Sequence, residues 1–580
     1  MSLARASLTL ILKPRYELVL LLLLSTIALT QQAAIDSTTD FYTAGVVEFR
    51  NAASVADNLA GYLEIIASPN ASATDIIVFP EATLGNFNSY DFVPSPQQQV
   101  TPCLDDPEAQ YYADYLVAIS CAARNVSKYV AINVPEHELC TDVPEDTRPC
   151  ASNGFNIYNT NVVFDRNGTV ISRYRKVHLY GEPRNTTFVP ESITFETDFG
   201  VTFGHMICFD IMFFTPGGEI IQEQGVRDFI FPTMWFSQLP FLTAVQTQQA
   251  WAYANDANLL AAGASHPENG STGSGIYNGR KGTISSVMAL DEGQRRIYVA
   301  QVPKYPASNR RTSKRSRRAV KEQPQPRNTE GFQMKQDLVT LYETVSLESL
   351  ANQATDTSLT QDVCHGQICC HFEVEWRLLD NVAENVSYYN YRLAAYDGWR
   401  NEKGMDANYL RNCGIFACTG PTIEDCGKLV HAFQPRVTFT RLLIEATYPK
   451  SREFLLAPNS VRDNLLPLEP HQFEFSLEEL ANQNQLQSRF ELAPSLEVQN
   501  LLTFAIYGNY YDDECTFNKG TEQQDLECGF QPKDDGAASL RFSSFFAAAT
   551  AVDNASEASL VATTTTNYIE LASFFFLLNS

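Results

Sequence analysis

The sequence predicts a layered α/β sandwich over residues 35–305, followed by a smaller, β-rich, disulfide-braced domain over residues 335–552. Three observations predict it. Strand-length apolar runs alternate with helical stretches from about residue 40 to 300. The composition then turns basic and polar across 306–334, as in a linker. Eight of the 13 cysteines come after that linker. A chain of 580 residues also exceeds what one hydrophobic core organises, so at least two domains are expected.

The elements follow in order. Ala44–Phe49 and Asp75–Phe79 are apolar strands, the second stopped by Pro80. Pro107–Ala123 reads as a helix carrying Tyr111, Leu116, Ala118 and Ile119, and Tyr129–Ile132 as a strand. Ile157–Phe164 and Thr169–Arg175 flank Asp165-Arg-Asn-Gly168, a strong hairpin turn. Val201–Ile207 is a strand leading into Cys208, and Asp228–Phe231 a short strand stopped by Pro232. Val245–Asn255 is helical, and Leu259–Ala262 a buried strand. Beyond the linker, Arg436–Ile444 and Leu501–Ile506 are strand-like.

The ends of the chain carry targeting features. Lys13 and Arg15 precede an apolar run from Leu18 to Leu29 and then small, polar residues, so residues 1–30 read as a signal peptide. Seven Asn-x-Ser/Thr sequons agree with export: Asn70, Asn125, Asn167, Asn185, Asn269, Asn385 and Asn554. Residues 553–580 run from a Thr-rich stretch into a short apolar tail interrupted by Glu570. The tail fits either a GPI-anchor signal, hence membrane attachment by lipid, or a frayed end. In the linker, Arg315-Ser-Arg-Arg318 has the form of a dibasic cleavage site, or of an uncut solvated loop. The net charge of −25 repels phosphate backbones and argues against a nucleic-acid partner.

In an oxidising compartment most cysteines pair, and an odd count leaves at least one free. Cys208 is the best candidate, alone between Cys150 and Cys364 in an apolar segment. No Cys/His cluster has zinc spacing, so no metal is expected. Glu81 and Lys176 join Cys208 at strand ends or adjoining loops. Singly, each has an ordinary reading: a surface acid, a hairpin lysine, a core cysteine. Together they meet the needs of amide cleavage. A thiol must lose its proton to attack, a carboxylate can take that proton, and an ammonium can stabilise the oxyanion.

Phe-Pro-Glu81, Arg-Lys176-Val-His-Leu and Cys208-Phe-Asp-Ile resemble the Glu–Lys–Cys motifs of the nitrilase superfamily in order and spacing. Phe231-Pro-Thr-Met-Trp235, Leu239-Pro240, Asn258-Leu-Leu-Ala-Ala and Gly273-Ser-Gly-Ile-Tyr277 resemble its vanin (pantetheinase) and biotinidase branch. The resemblance implies a nitrilase-like αββα sandwich with a vanin-type C-terminal domain. It also implies cofactor-free hydrolysis of a small-molecule linear amide: Cys208 is the nucleophile, Glu81 the general base and acid, and Lys176 the oxyanion stabiliser. Pantetheine, cleaved to pantothenate and cysteamine, is the first substrate expectation, and biotin amides the second. The expected location is extracellular, secreted or GPI-anchored. Trp235, His266 and Tyr277 are candidate pocket residues, with ordinary packing as the other reading; Asn86, Asn88 and Ser89 are further polar candidates. An inactive ectodomain is the competing class, disfavoured because all three motif residues are present. No Gly-x-Ser-x-Gly elbow supports a serine hydrolase.

Overall fold

The computed structural model describes residues 40–85, 91–104, 112–305, 331–347, 357–379, 387–401, 407–430, 436–481 and 484–511. The signal-peptide, cleavage-site and tail expectations lie outside these residues, as do Asn385, Asn554, Asn86, Asn88, Ser89 and the stretch 512–552.

The first domain contains two six-stranded sheets. The first sheet comprises β1 (Phe41–Phe49), β2 (Ile76–Val78), β3 (Tyr129–Leu139), β4 (Phe155–Phe164), β5 (Val170–Arg175) and β13 (Arg295–Pro303), in the order β13-β1-β2-β3-β4-β5. Helices α1 (Val55–Ala67) and α2 (Asp114–Val126) cover it. The second comprises β6 (Thr194–Glu196), β7 (Thr202–His205), β8 (Asp228–Thr233), β10 (Asn258–Gly263), β11 (Ser274–Asn278) and β12 (Thr283–Val287), in the order β12-β11-β10-β8-β7-β6. A two-residue strand, β9 (Gln238–Leu239), and helix α3 (Ala244–Asn255) complete the domain.

Alternation along β1 and β2 explains the layering. Val47, Phe49 and Ile77 pack with Tyr62, Ile65 and Ile119 of the two covering helices. Val46, Ile76 and Val78 face inward and pack with Phe203, Ile230, Leu260 and Ile276 of the second sheet. Successive side chains of a strand point to opposite faces, so a strand with a covered face on each side is apolar at nearly every position.

Several boundaries differ from the sequence reading. The helix expected from Pro107 is described from Asp114. Helix α1 was not anticipated, although Ser54 caps it through the Asp57 amide. Strand β3 runs on through Pro135 to Leu139. Strand β8 is not stopped by Pro232 but reaches Thr233. There β10 flanks β8 on one side, Pro232 facing Ala262, while pairing with β7 ends at His205–Ile230. A proline with no ladder on its second side removes no hydrogen bond there.

The second domain is a sandwich of two five-stranded antiparallel sheets. One comprises β15 (Glu343–Ser346), β18 (Asn390–Arg400), β19 (Asn408–Cys418), β21 (Phe454–Arg462) and β24 (Leu501–Tyr510). The other comprises β16 (Thr357–His365), β17 (Ile368–Leu378), β20 (Val437–Pro449), β22 (Phe473–Leu480) and β23 (Gln485–Leu492). The Cys370–Cys413 disulfide ties β17 to β19 across the sandwich. Cys364–Cys369 joins β16 to β17 and Cys418–Cys426 closes the turn after β19, while Cys103–Cys121 and Cys140–Cys150 lie in the first domain.

The two domains share one continuous apolar core, in which Trp251 and Phe241 pack together with Phe416, Phe504 and Tyr507. Strand β14 (Lys335–Gln336) pairs in parallel with β9. The interface is also polar. Gln246 donates to Asn459 (2.6 Å), Gln249 to the Leu468 carbonyl (2.8 Å), and Asn509 to the Met212 carbonyl (2.6 Å). Buried amides are tolerated here because each has a partner.

One buried acid in the first domain makes a test of pH dependence. Glu48 on β1 is fully buried and accepts hydrogen bonds from Thr272 and Ser274. Burial pushes its carboxyl up to about 7 from 4.5, against those bonds. The folded state therefore keeps a proton between pH 4.5 and 7 that the unfolded chain releases, so this group costs stability as pH rises through that window. Glu48→Gln is expected to flatten that part of the Tm-against-pH curve by on the order of 1–3 kcal/mol. An unchanged slope would rule out Glu48 as its source.

Candidate active site

Glu81 follows β2, Lys176 follows β5, and Cys208 follows β7, so three strand ends from both sheets converge. Cys208 adopts a left-handed backbone conformation, φ 47°, and begins a short helical turn, Cys208–Met212. A non-glycine residue in this region stores strain, and surrounding contacts must hold it. Asp210, fully buried, does so. Its carboxylate accepts from the Ile207 amide (2.9 Å), the His178 amide (2.9 Å) and the Tyr174 hydroxyl (2.7 Å). One side chain thereby fastens the cysteine turn to the segment bearing Lys176.

Lys176 is 1% exposed and lies between two carboxylates. Its Nζ donates to Glu81 Oε1 and to Glu182 Oε1, both at 2.8 Å. Burial alone would lower its ammonium; Glu182 and Glu81 outweigh this and hold it well above its ordinary value. Burial raises the Glu182 carboxyl, and Lys176 with its hydrogen bonds overcomes that, leaving it below the usual range. The Glu81 carboxylate is fixed at both oxygens: Oε1 also accepts from Asn159 (2.8 Å), and Oε2 from the Met234 amide (2.8 Å). Asn159 accepts in turn from Asn133 (2.7 Å), whose side chain accepts the Ala82 amide (2.9 Å).

Cys208 is the one free thiol among the described cysteines. Burial pushes this thiol far above its ordinary value, and the negative charge of Glu81 adds to the rise, while Lys176 pulls the other way. The resting side chain is therefore a neutral thiol that must pass a proton to a base in order to attack.

The thiol opens on a cleft whose walls include Tyr180, Phe209, Met212, Met234, Trp235, Phe236 and Leu242. Gln238 and Arg400 supply its polar lining, Arg400 from the second domain. Of the three candidate pocket residues, Trp235 lines the cleft, its indole N–H donating to the Leu242 carbonyl (2.9 Å). His266 and Tyr277 do not line it, which corrects that expectation. The His266 ring is held by Asn51 (2.6 Å) and Glu268 (3.3 Å) in the loop after β10. Tyr277 is fully buried beneath α3, its hydroxyl donating to Gln248 (2.9 Å). Both are packing and hydrogen-bonding residues.

Sequence reasoning missed Glu182, Asn159 and Arg400. A partial signal for Asn159 was available: Asn133 interrupts the apolar run Tyr129–Val134 of β3, Asn159 and Asn161 lie on the neighbouring β4, and all three are buried. Glu182, in a Tyr-Gly-Glu-Pro loop, carries no such mark. Among the sequons, Asn70, Asn125 and Asn167 are exposed, whereas Asn185 and Asn269 are half-buried. No group of three or more His, Cys, Asp or Glu side chains among the described residues is arranged to hold a metal ion.

Two family models match the chain: carbon-nitrogen hydrolase over residues 27–265 and the vanin C-terminal domain over residues 332–514. Vanin-like protein 1 of Drosophila melanogaster is 57% identical over 90% of this chain and 94% of its own. The biotinidase of Takifugu rubripes is 29% identical, covering 75% of this chain and 84% of its own. Pantetheine hydrolase VNN2 of Homo sapiens is 31% identical, covering 62% of this chain and 68% of its own. The sandwich, its β-rich partner domain and these matches together make the chain a member of the vanin and biotinidase branch of the nitrilase superfamily, a carbon–nitrogen hydrolase acting on amides.

Proposed function

We propose that the protein is an extracellular amidohydrolase that cleaves a linear amide through a Cys208 thioester, with pantetheine as the favoured substrate. The observation that carries this reading is the Glu81–Lys176 contact at 2.8 Å beside the Cys208 thiol, the one free thiol among the described residues. In the first step Cys208 Sγ attacks the carbonyl carbon while its proton passes to Glu81. The oxyanion is stabilised by the Lys176 ammonium and the backbone N–H of Phe209. Glu81 then gives the proton to the amine nitrogen, the carbon–nitrogen bond breaks, and the acyl group stays on sulfur. A water that has lost a proton to Glu81 attacks the thioester. The acid leaves, and the proton returns to the sulfur. Glu182 keeps Lys176 charged and fixed, and Asn159 aims Glu81.

Five disulfides among the described residues, and seven sequons in the sequence, support the extracellular location, since such bonds persist in oxidising compartments. The choice of pantetheine over biotin amides rests on the branch. Two relatives are named for these two substrates, and the polar lining from Gln238 and Arg400 suits the hydroxyl and amide oxygens of a pantothenoyl group. Purified protein assayed against pantetheine and biocytin side by side is expected to give the higher kcat/KM with pantetheine. A higher value with biocytin reverses the substrate assignment.

A further inference from the structure

Thr233 ends β8 beside the nucleophile. Strands β7 and β8 run parallel with His205 opposite Ile230, and the Met206 amide donates to the Ile230 carbonyl (3.2 Å). Three residues on from that pair stand Cys208 on one segment and Thr233 on the other. The next residue, Met234, gives its amide to Glu81 Oε2 (2.8 Å), so one strand end serves both the base and the nucleophile. The Thr233 main chain is anchored by β10, its carbonyl accepting from the Ala264 amide (2.9 Å). Its side chain is fully buried, and in the resting geometry the hydroxyl has no hydrogen-bond partner among the described residues. The hydroxyl lies against the Cys208 sulfur, whose charged form it favours. A buried hydroxyl without a partner costs stability, and a partner that forms during the reaction accounts for its presence.

We propose that the Thr233 hydroxyl donates to the Cys208 sulfur as the thiol proton leaves for Glu81, and is therefore a further catalytic group of the amide cleavage. This rests on the assignment of Cys208 as nucleophile and adds to it the group that receives the charge on sulfur. The resting thiol is a weak acceptor. Negative charge arises on the sulfur only on the way to attack, so a donor placed beside it stabilises the transition state more than the ground state. Threonine keeps its own proton throughout. The thiol proton goes to Glu81, the sulfur–carbon bond forms, and the carbonyl electron pair moves to oxygen. In the thioester the sulfur is again uncharged, and the contact re-forms when the acyl group leaves. The charged groups around the sulfur do not supply this donor. Lys176 has three N–H bonds, of which Glu81 and Glu182 take two and the oxyanion the third. Ionised Glu81, Glu182 and Asp210 only accept, Arg400 is held at the cleft wall by Asp337, and Lys335 donates to the Tyr180 hydroxyl.

The test uses full-length protein with Thr233→Val and Thr233→Ser. Valine keeps the β-branch and removes the hydroxyl, so the fold is expected to hold with a Tm no lower than wild type. Its kcat is expected to fall by about tenfold or more, the loss of one hydrogen bond to a charged group. Alkylation of Cys208 by iodoacetamide, followed on its own peptide by mass spectrometry, reads the sulfur without any amide substrate. In Thr233→Val it is expected to slow by about tenfold at neutral pH, with its rate profile displaced to higher pH, because the lost donor favoured the charged sulfur. Thr233→Ser keeps the hydroxyl and is expected to stay within a few-fold of wild type in both measurements. The inference is overturned by a valine variant whose kcat is within about twofold of wild type, far less than a charged hydrogen bond is worth. Unaltered alkylation overturns it too, as does a serine variant as slow as the valine one, which assigns the loss to packing. Failure of the nucleophile assignment is read separately, from turnover remaining in Cys208→Ala.

Discussion

Cys208→Ala is expected to remove amide hydrolysis, with kcat falling by about 10⁴-fold or more, while the protein folds normally. The substitution takes one sulfur from the apolar cluster that contains Met206, Phe209 and Trp235, and leaves the Asp210 clamp intact. Alanine meets the same left-handed backbone cost as cysteine, so the strain at residue 208 is unchanged. Cys208→Ser is expected to be almost as inactive. A buried thiol that resists ionisation is already demanding on Glu81, and a hydroxyl is harder still to deprotonate. Single-turnover assays with mass spectrometry should trap an acyl adduct on wild type and none on either variant. Hydrolysis by Cys208→Ala within a few percent of wild type, or an adduct on another residue, would sink the assignment.

Lys176→Ala is expected to lower kcat by about a hundredfold or more, the typical loss when one oxyanion partner is removed. From sequence alone little change in fold is expected of this substitution; the structure revises that. Lys176 is 1% exposed and neutralises Glu81 and Glu182, so its removal leaves two buried carboxylates with no cation between them. Breaking a buried pair in this way costs on the order of 3–5 kcal/mol. A lower Tm should therefore accompany the lost rate. The Lys176→Met/Glu182→Gln double variant separates the two effects: it restores charge balance and packing, so most of the Tm should return while kcat stays low. Recovery of kcat together with Tm would show that the lysine is structural. A single variant within a few-fold of wild type would show the same.

Local signals made most of the first domain legible. The hairpin of β4 and β5 is written in Asp165-Arg-Asn-Gly168, where Asp165 accepts from the Asn167 and Thr169 amides (2.8 Å each). The apolar runs of β1, β2, β8 and β10 are strands buried on both faces. Helix α3 was legible too, but the reason its polar side chains are buried was not. Gln246, Gln248 and Gln249 would ordinarily mark a solvent face. Here they meet partners supplied by the second domain and by the Gly273 carbonyl (3.0 Å). Periodicity records which residues are apolar; it carries no information on what a distant segment offers to a polar one.

By itself the sequence determined the chemistry: a carboxylate, an ammonium and a thiol in short motifs at strand ends, in a chain with a cysteine to spare. These features are local, because strand termini and the tight turn at Cys208 are set by neighbouring residues. Only the tertiary structure decided how the groups are tuned and what they face. Glu81 and Lys176 are 95 residues apart, and Arg400 and Gln238 162 apart. Whether such pairs meet depends on how two sheets pack and where a second domain docks. That is why His266 and Tyr277 lie elsewhere, Glu182 joins the lysine, and a residue of the β-rich domain lines the cleft beside the thiol.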